Sequence, residues 1–236
     1  MRYSPRYNLV LVVGIGCTAT LGWFGGSWIE AGATYPLKAA ACFAALMTAV
    51  VRVAGGQHPY PRFGSANAVT AIRAILAALV AGLIGQPAAP ALAWFAIGIT
   101  VFAAMLDGLD GWLARRTRMT SEFGARLDME TDALLILVLS VLVWQHGKAG
   151  VWVLLCGLMR YGFVAAGWLL PWLARPLRST SRGKTVAVGQ LFGLGVALAP
   201  TVPAPHAASV AALTLAALVW SFSIDVRWLS RQGRTS

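Results

Sequence analysis

Apolar residues fill this chain in long runs, and polar residues enter mainly as short clusters between them. A helix needs about 20 consecutive apolar residues to cross the hydrocarbon core of a bilayer. Runs close to that length cover 9–27, 37–54, 66–84, 91–109, 124–145, 150–172, 185–200 and 207–224. The pattern predicts eight transmembrane helices, an all-α integral membrane protein. Between the second and third runs lies Gly55-Gly56-Gln57-His58-Pro59-Tyr60-Pro61-Arg62, a Gly/Pro stretch that a membrane helix would not cross. The first two runs therefore read as an N-terminal two-helix hairpin at 1–56. A linker or interfacial segment follows at 57–65, then a six-helix transmembrane core at 66–228 and a basic C-terminal tail at 229–236.

Composition supports the membrane reading. Of 236 residues 58% are hydrophobic and 11% charged, against about 25% charged in soluble domains; the mean hydropathy is +0.70. The net charge of +11 would suit a nucleic-acid binder, but the basic residues stand at the ends of the apolar runs. With the N-terminus in the cytoplasm, the cytoplasmic ends collect Arg2, Arg6, Arg52, Arg62, Arg115, Arg116, Arg118 and Arg126, then Arg175, Arg178, Arg182, Lys184, Arg227, Arg231 and Arg234. Lys38 and Lys148 are left near the opposite loops. The positive-inside rule accounts for this asymmetry with both termini cytoplasmic, in a bacterial inner membrane, and removes the reason to invoke nucleic acid. Trp23, Trp28, Trp94, Trp144, Trp172, Trp220 and Trp228 lie near run ends, as an interfacial aromatic belt would. Arg2, Arg6 and the apolar run from Leu9 have the outline of a signal peptide, but no small-residue cleavage site follows, so a retained first helix is expected. Cys17, Cys42 and Cys156 are scattered singly and His58, His146 and His206 fall in loops, which supports neither a disulfide framework nor a zinc site.

One window departs from all this. Of the eight acidic residues, Asp107, Asp110, Glu122, Asp128, Glu130 and Asp132 fall between 107 and 132. Carboxylates beside an apolar segment are costly unless a cation neutralises them. The fourth helix is expected to run past the membrane surface through Asp107 and Asp110 to about Arg116, with Asp107, Asp110, Gly111 and Ala114 on one face by their spacing of three and four. The fifth restarts near Gly124 and carries Asp128 and Asp132 one turn apart. Two neighbouring helices can thus point four carboxylates at each other. Oxygen-only ligands suit Mg²⁺ or Mn²⁺. Gly111 and Ala114 remove bulk beside the acids, so a substrate or partner backbone can approach. The plainer account, acids pairing with Arg115, Arg116, Arg118 and Arg126 at a wet interface, requires neither the small residues nor the fixed spacing.

The whole pattern, Asp107-x-x-Asp110-Gly111-x-x-Ala114-Arg115, eight residues to Gly124, then Asp128 and Asp132, resembles the signature of the CDP-alcohol phosphatidyltransferase family. Asn67-x-x-Thr70-x-x-Arg73 and Gly183-Lys184-Thr185 extend the resemblance more weakly, over 67–224. The resemblance implies that the six-helix unit is a catalytic core in which an alcohol displaces CMP from a CDP-linked lipid, such as CDP-diacylglycerol, in phospholipid synthesis. It implies two Mg²⁺ or Mn²⁺ ions held by Asp107, Asp110, Asp128 and Asp132, with Asp132 also the general base. It implies contacts to the CDP-lipid from Asn67, Thr70, Gly111, Ala114, Arg115, Ser121 and Gly124. Two ions would neutralise charge on the attacked phosphate and the leaving CMP, and the planar fork of an arginine suits a phosphate. The partners implied are the CDP-linked lipid, a small alcohol and membrane lipids, with a homodimer left open and the acceptor unassigned.

Three basic residues outside the signature are candidates for contact with the acceptor or another anion. Arg160 lies near the middle of the sixth helix, where an isolated charge costs at least about 2.5–3.5 kcal/mol. Arg73 lies about two turns into the third. For both, substrate contact and a structural ion pair stay open. Lys184, close to Arg175, Arg178 and Arg182, could receive an anionic acceptor or headgroup. Two other classes compete with the enzyme: a divalent-cation carrier using the same carboxylates, which has no use for the nucleotide-phosphate contact at Gly111-x-x-Ala114-Arg115, and an inactive scaffold, which would not keep all four aspartates.

Overall fold

The computed structural model describes residues 5–53, 65–117, 122–174 and 180–233. Among them are eight α-helices: α1 (Pro5–Trp28), α2 (Tyr35–Val53), α3 (Ser65–Ala81), α4 (Pro90–Thr117), α5 (Glu122–Gln145), α6 (Leu155–Leu169), α7 (Ser181–Leu198) and α8 (Ala204–Gly233). The all-α expectation holds, and every predicted run has its helix. Five stretches are long and apolar enough to cross a membrane: Asn8–Trp28, Tyr35–Arg52, Pro90–Gly108, Val151–Leu169 and Ala204–Arg231. This is a multi-pass membrane protein. The remaining three helices fall short of that measure for physical reasons. The apolar part of α3, Asn67–Ala81, is brief; α5 opens with Arg126, Asp128, Glu130 and Asp132; α7 opens with Arg182 and Lys184.

Boundaries moved where apolarity and helicity part company. The run 150–172 is divided into a 3-10 turn (Val151–Leu154), α6 and a second 3-10 turn (Pro171–Ala174), the latter beginning at a proline that cannot continue the α6 hydrogen-bond ladder. Helix α8 continues to Gly233, well past the last apolar residue of its run and into the stretch read as a basic tail. Gly183-Lys184 lies inside the first turn of α7, not ahead of it, because the Thr180 hydroxyl caps the helix by accepting from the Gly183 N–H at 3.2 Å.

The chain forms two compact units, Met1–Leu135 and Ile136–Ser236, with the division falling within α5. In the first unit α1, α2 and α3 pack on one another and α3 packs on α4. Its core joins Phe43, Met47, Val50 and Val51 of α2 to Ala74 and Ala78 of α3 and to Phe123 and Leu127 at the start of α5, with Val10, Leu11 and Ile15 of α1 against it. Lipid is as apolar as leucine, so close backbone approach between small residues holds such helices together. The buried faces accordingly carry Ala71, Ala74, Ala77 and Ala78 on α3 and Ala93, Ala96 and Ala103 on α4. Buried hydroxyls turn back on their own helices, Thr18 to Gly14 O, Thr100 to Ala96 O and Thr131 to Leu127 O, each at 2.7 Å, as a water-free surrounding demands. Tyr35 is fully buried and donates its hydroxyl to Leu79 O at 3.0 Å, tying α2 to α3.

In the second unit α7 packs on α8, and α6 on α8. Helix α5 ends in a Schellman motif: Gly147 takes φ +64°, Gly147 N–H bonds Trp144 O at 2.9 Å, and Lys148 N–H bonds Val143 O at 3.0 Å. The Lys148 ammonium then donates to the carbonyls of Ala199, Pro200 and Val202 at 3.0, 3.3 and 2.5 Å, meeting the negative end of α7.

Candidate metal centre

Helix α3 sets the floor of the site. Asn67, Thr70 and Arg73 recur every three residues along it and are 5%, 4% and 2% exposed. Such burial of an arginine in an apolar helix is tolerated only beside opposite charge, and the neighbours supply it. The Arg73 Nε–H donates to Ala103 O on α4 at 3.2 Å. Its Nη1 meets Asp107 Oδ1 at 2.9 Å and also Asp128 Oδ1, and its Nη2 meets Asp132 Oδ1 at 2.5 Å. One guanidinium from α3 thereby gathers an acid from α4 and two from α5, all within the first unit.

The four side chains differ in exposure. That of Arg73 is 3% exposed, while those of Asp107, Asp128 and Asp132 are 42%, 38% and 32% exposed. The carboxylates therefore open to one side while the cation sits closed beneath them. One oxygen from each of the three lies within 4.8 Å of the others. Three carboxylates against one guanidinium leave an excess of negative charge, and an oxygen-only set at this spacing fits a hard divalent cation. The donor set thus passes the test for Mg²⁺ or Mn²⁺, and it already converges on a positive group.

The remaining predicted residues are placed as follows. Asp110, Gly111, Ala114 and Arg115 lie in α4, which runs unbroken to Thr117 as expected, so helical register keeps Asp110, Gly111 and Ala114 on the Asp107 face; their side chains lie outside the described residues, and so does Ser121 as a whole. Gly124 is buried in α5. Arg126 pairs with Glu130 at 3.5 Å, one helical turn on. In the second unit Arg160 is half-buried on α6 and Lys184 exposed on α7. Arg182, read both as a neighbour of Lys184 in an anion-receiving cluster and as ordinary positive charge, pairs with Asp225 of α8 and donates from Nε to Ser221 Oγ at 3.3 Å. Arg73 makes ion pairs with Asp107, Asp128 and Asp132. Its signal was visible as a charge two turns inside an apolar helix, but its partners were not.

The sequence model of one family, CDP-alcohol phosphatidyltransferase, matches residues 63–223, more than half of the chain. The chain belongs to the CDP-alcohol phosphatidyltransferase family. The matched segment agrees with the expected 67–224 and contains Arg73 and all four aspartates; the α1–α2 hairpin lies outside it. Curated relatives share the match over shorter stretches. A CDP-diacylglycerol–glycerol-3-phosphate 3-phosphatidyltransferase of Cereibacter sphaeroides is 32% identical over 89 residues, 38% of this chain and 40% of that protein. The enzyme of the same name from Yersinia pestis (strain Pestoides F) is 50% identical over 48 residues, and that of Pectobacterium atrosepticum 48% over 48, each 20% of this chain and 26% of the relative. The chain thus spans less than half the length of these relatives. No solved structure matches it significantly.

Proposed function

We propose that this member of the family transfers a phosphatidyl group, or a related phospholipid group, from a CDP-linked lipid such as CDP-diacylglycerol to an alcohol, releasing CMP. The observation that carries the reading is the convergence of Asp107, Asp128 and Asp132 from two helices within 4.8 Å, in a chain whose family is defined by this transfer. The matched relatives are named for glycerol 3-phosphate, which makes it the first acceptor to try.

In this reading Asp107, Asp110, Asp128 and Asp132 hold two divalent ions, Mg²⁺ or Mn²⁺. When bound, such ions withdraw charge from the pyrophosphate and stabilise the departing CMP. The acceptor oxygen attacks the lipid-bearing phosphorus. The bond from that phosphorus to the bridging oxygen breaks, CMP leaves with the bond's electrons, and the acceptor's proton passes to the Asp132 carboxylate. Gly111, Ala114 and Gly124 leave room for the nucleotide, Arg115 and Ser121 offer donors to its phosphates, and Asn67 and Thr70 line the facing helix. Arg160 and Lys184 are the proposed contacts of an anionic acceptor or headgroup. The site faces the cytoplasm, where CDP-linked precursors and the excess of arginines would both be found.

The test is to incubate membranes carrying the protein with CDP-diacylglycerol, Mg²⁺ or Mn²⁺ and a panel of alcohols led by glycerol 3-phosphate, and to weigh the lipid product. A new phosphodiester with stoichiometric CMP is expected. No product with any acceptor, together with no thermal protection by saturating CMP and Mn²⁺, sinks the enzyme reading and leaves a cation carrier.

A further inference from the structure

Arg73 does more than neutralise its surroundings: we propose that it is a resident cation that competes with divalent ions for Asp107, Asp128 and Asp132, and so sets the metal affinity of the centre. The inference rests on the metal reading above and deepens it.

The geometry supports competition over mere proximity. The guanidinium contacts one Oδ1 oxygen from each of three aspartates, and the ligand atoms available to a metal are oxygens of the same three carboxylates. The guanidinium reaches them from the buried side, anchored by Nε on Ala103 O at 3.2 Å. A solvent ion would reach them from the side on which they are 42%, 38% and 32% exposed. An arginine does not give up its proton under ordinary conditions. Metal entry therefore cannot be eased by deprotonation, and an ion that takes the Oδ1 oxygens loosens these ion pairs.

The arrangement has two consequences. Without metal, three carboxylates with oxygens inside 4.8 Å would repel one another, and the arginine holds them together in the ligating geometry. With metal, the same positive charge opposes binding, and the apparent affinity is the intrinsic one multiplied by the fraction of molecules in which the carboxylates are released. A guanidinium freed from the acids is left beside an anionic substrate. A purely structural arginine would have the opposite signature: removing it would disorder the ligands and weaken metal binding.

The experiment uses the full chain in detergent and titrates Mn²⁺, following the free aqueous ion by its paramagnetic resonance signal. In Arg73→Gln the Mn²⁺ dissociation constant should fall by about tenfold or more. The thermal midpoint in chelator should drop, and saturating Mn²⁺ should restore more of it than it adds to the wild type. Arg73→Lys keeps the charge but loses the planar fork, so its dissociation constant should lie between the two; if Arg73→Gln does not fold, this variant decides alone. Mn²⁺ binding that is unchanged or weaker in the variants overturns the proposal while leaving the metal centre intact. No Mn²⁺ binding in the wild type overturns the metal reading itself.

Discussion

The substitution Asp132→Asn separates chemistry from architecture. Asn is isosteric and keeps an oxygen for Arg73 or a metal, but it cannot take a proton. In the wild type Asp132 Oδ1 lies 2.5 Å from Arg73 Nη2, with the aspartate side chain 32% exposed. Losing its charge removes one charge-assisted hydrogen bond, about 1.5–3 kcal/mol when buried and about 1 kcal/mol or less when one partner is this open to solvent. Arg73 retains Asp107 and Asp128 as partners, so no buried charge is orphaned and the fold should survive. The catalytic loss should be far larger, about 10²–10⁴-fold in turnover for an abolished general base, equivalent to about 2.7–5.4 kcal/mol. Single-turnover conversion of CDP-lipid at saturating Mn²⁺ reads the chemical step, and Mn²⁺ titration with CMP-dependent thermal protection reads binding. The expected result is CMP-dependent protection retained at saturating Mn²⁺, a Mn²⁺ affinity weakened as in the other ligand variants, and turnover collapsed. Loss of both metal and nucleotide binding would make Asp132 a ligand only, and near-normal turnover would remove it from the mechanism.

Other substitutions probe the rest of the site and its support. Asp107→Asn, Asp110→Asn and Asp128→Asn should each weaken Mn²⁺ binding and abolish turnover, because each takes ligand charge from a shared centre; activity near wild type at ordinary Mg²⁺ would strike that residue from the ligand set. Gly82→Val should destabilise the protein by about 1–3 kcal/mol, because a Cβ at Gly82 would stand 2.9 Å from the fully buried Tyr35 ring. Gly16→Ala, with nothing within 4 Å of its new methyl, is the matched control for thermal melting, and equal midpoints would refute the packing argument. Arg182→Gln and Asp225→Asn, made singly and together, should show a coupling of about 0.5–1 kcal/mol in a double-mutant cycle, since both side chains are about one-quarter exposed; additive effects would mean that the α7–α8 ion pair contributes nothing.

The legible part of this protein was whatever its chemistry makes local. Hydrocarbon compatibility is decided run by run, so the order of the eight helices among the described residues could be read from apolar stretches; the Gly/Pro stretch 55–62, read as a break, lies outside those residues. Spacing along one helix is local too. That Asp107, Asp110, Gly111 and Ala114 share a face follows from the helical period once α4 is unbroken, and it is unbroken to Thr117. Helix ends were less legible, because apolarity marks where lipid is tolerated and not where hydrogen bonding stops. Thr180 begins α7 ahead of its apolar run, and α8 outlasts its own by carrying Asp225 to Arg182.

What only the tertiary structure decided is which charge answers which. The sequence by itself determined that Arg73 must have a counter-charge, because an isolated guanidinium in an apolar helix is too costly, and that four aspartates must meet a cation. It held no means of joining the two requirements, since Arg73 stands 55 and 59 positions from Asp128 and Asp132. The nearest arginines in sequence, from Arg115 to Arg126, were the natural partners on proximity alone. The join was made by small residues on α3 and α4 that let these helices close up, and by Phe123 and Leu127 anchoring the start of α5 against α2 and α3. Ion pairing acts over a few ångströms in space, whereas the sequence orders residues only along the chain.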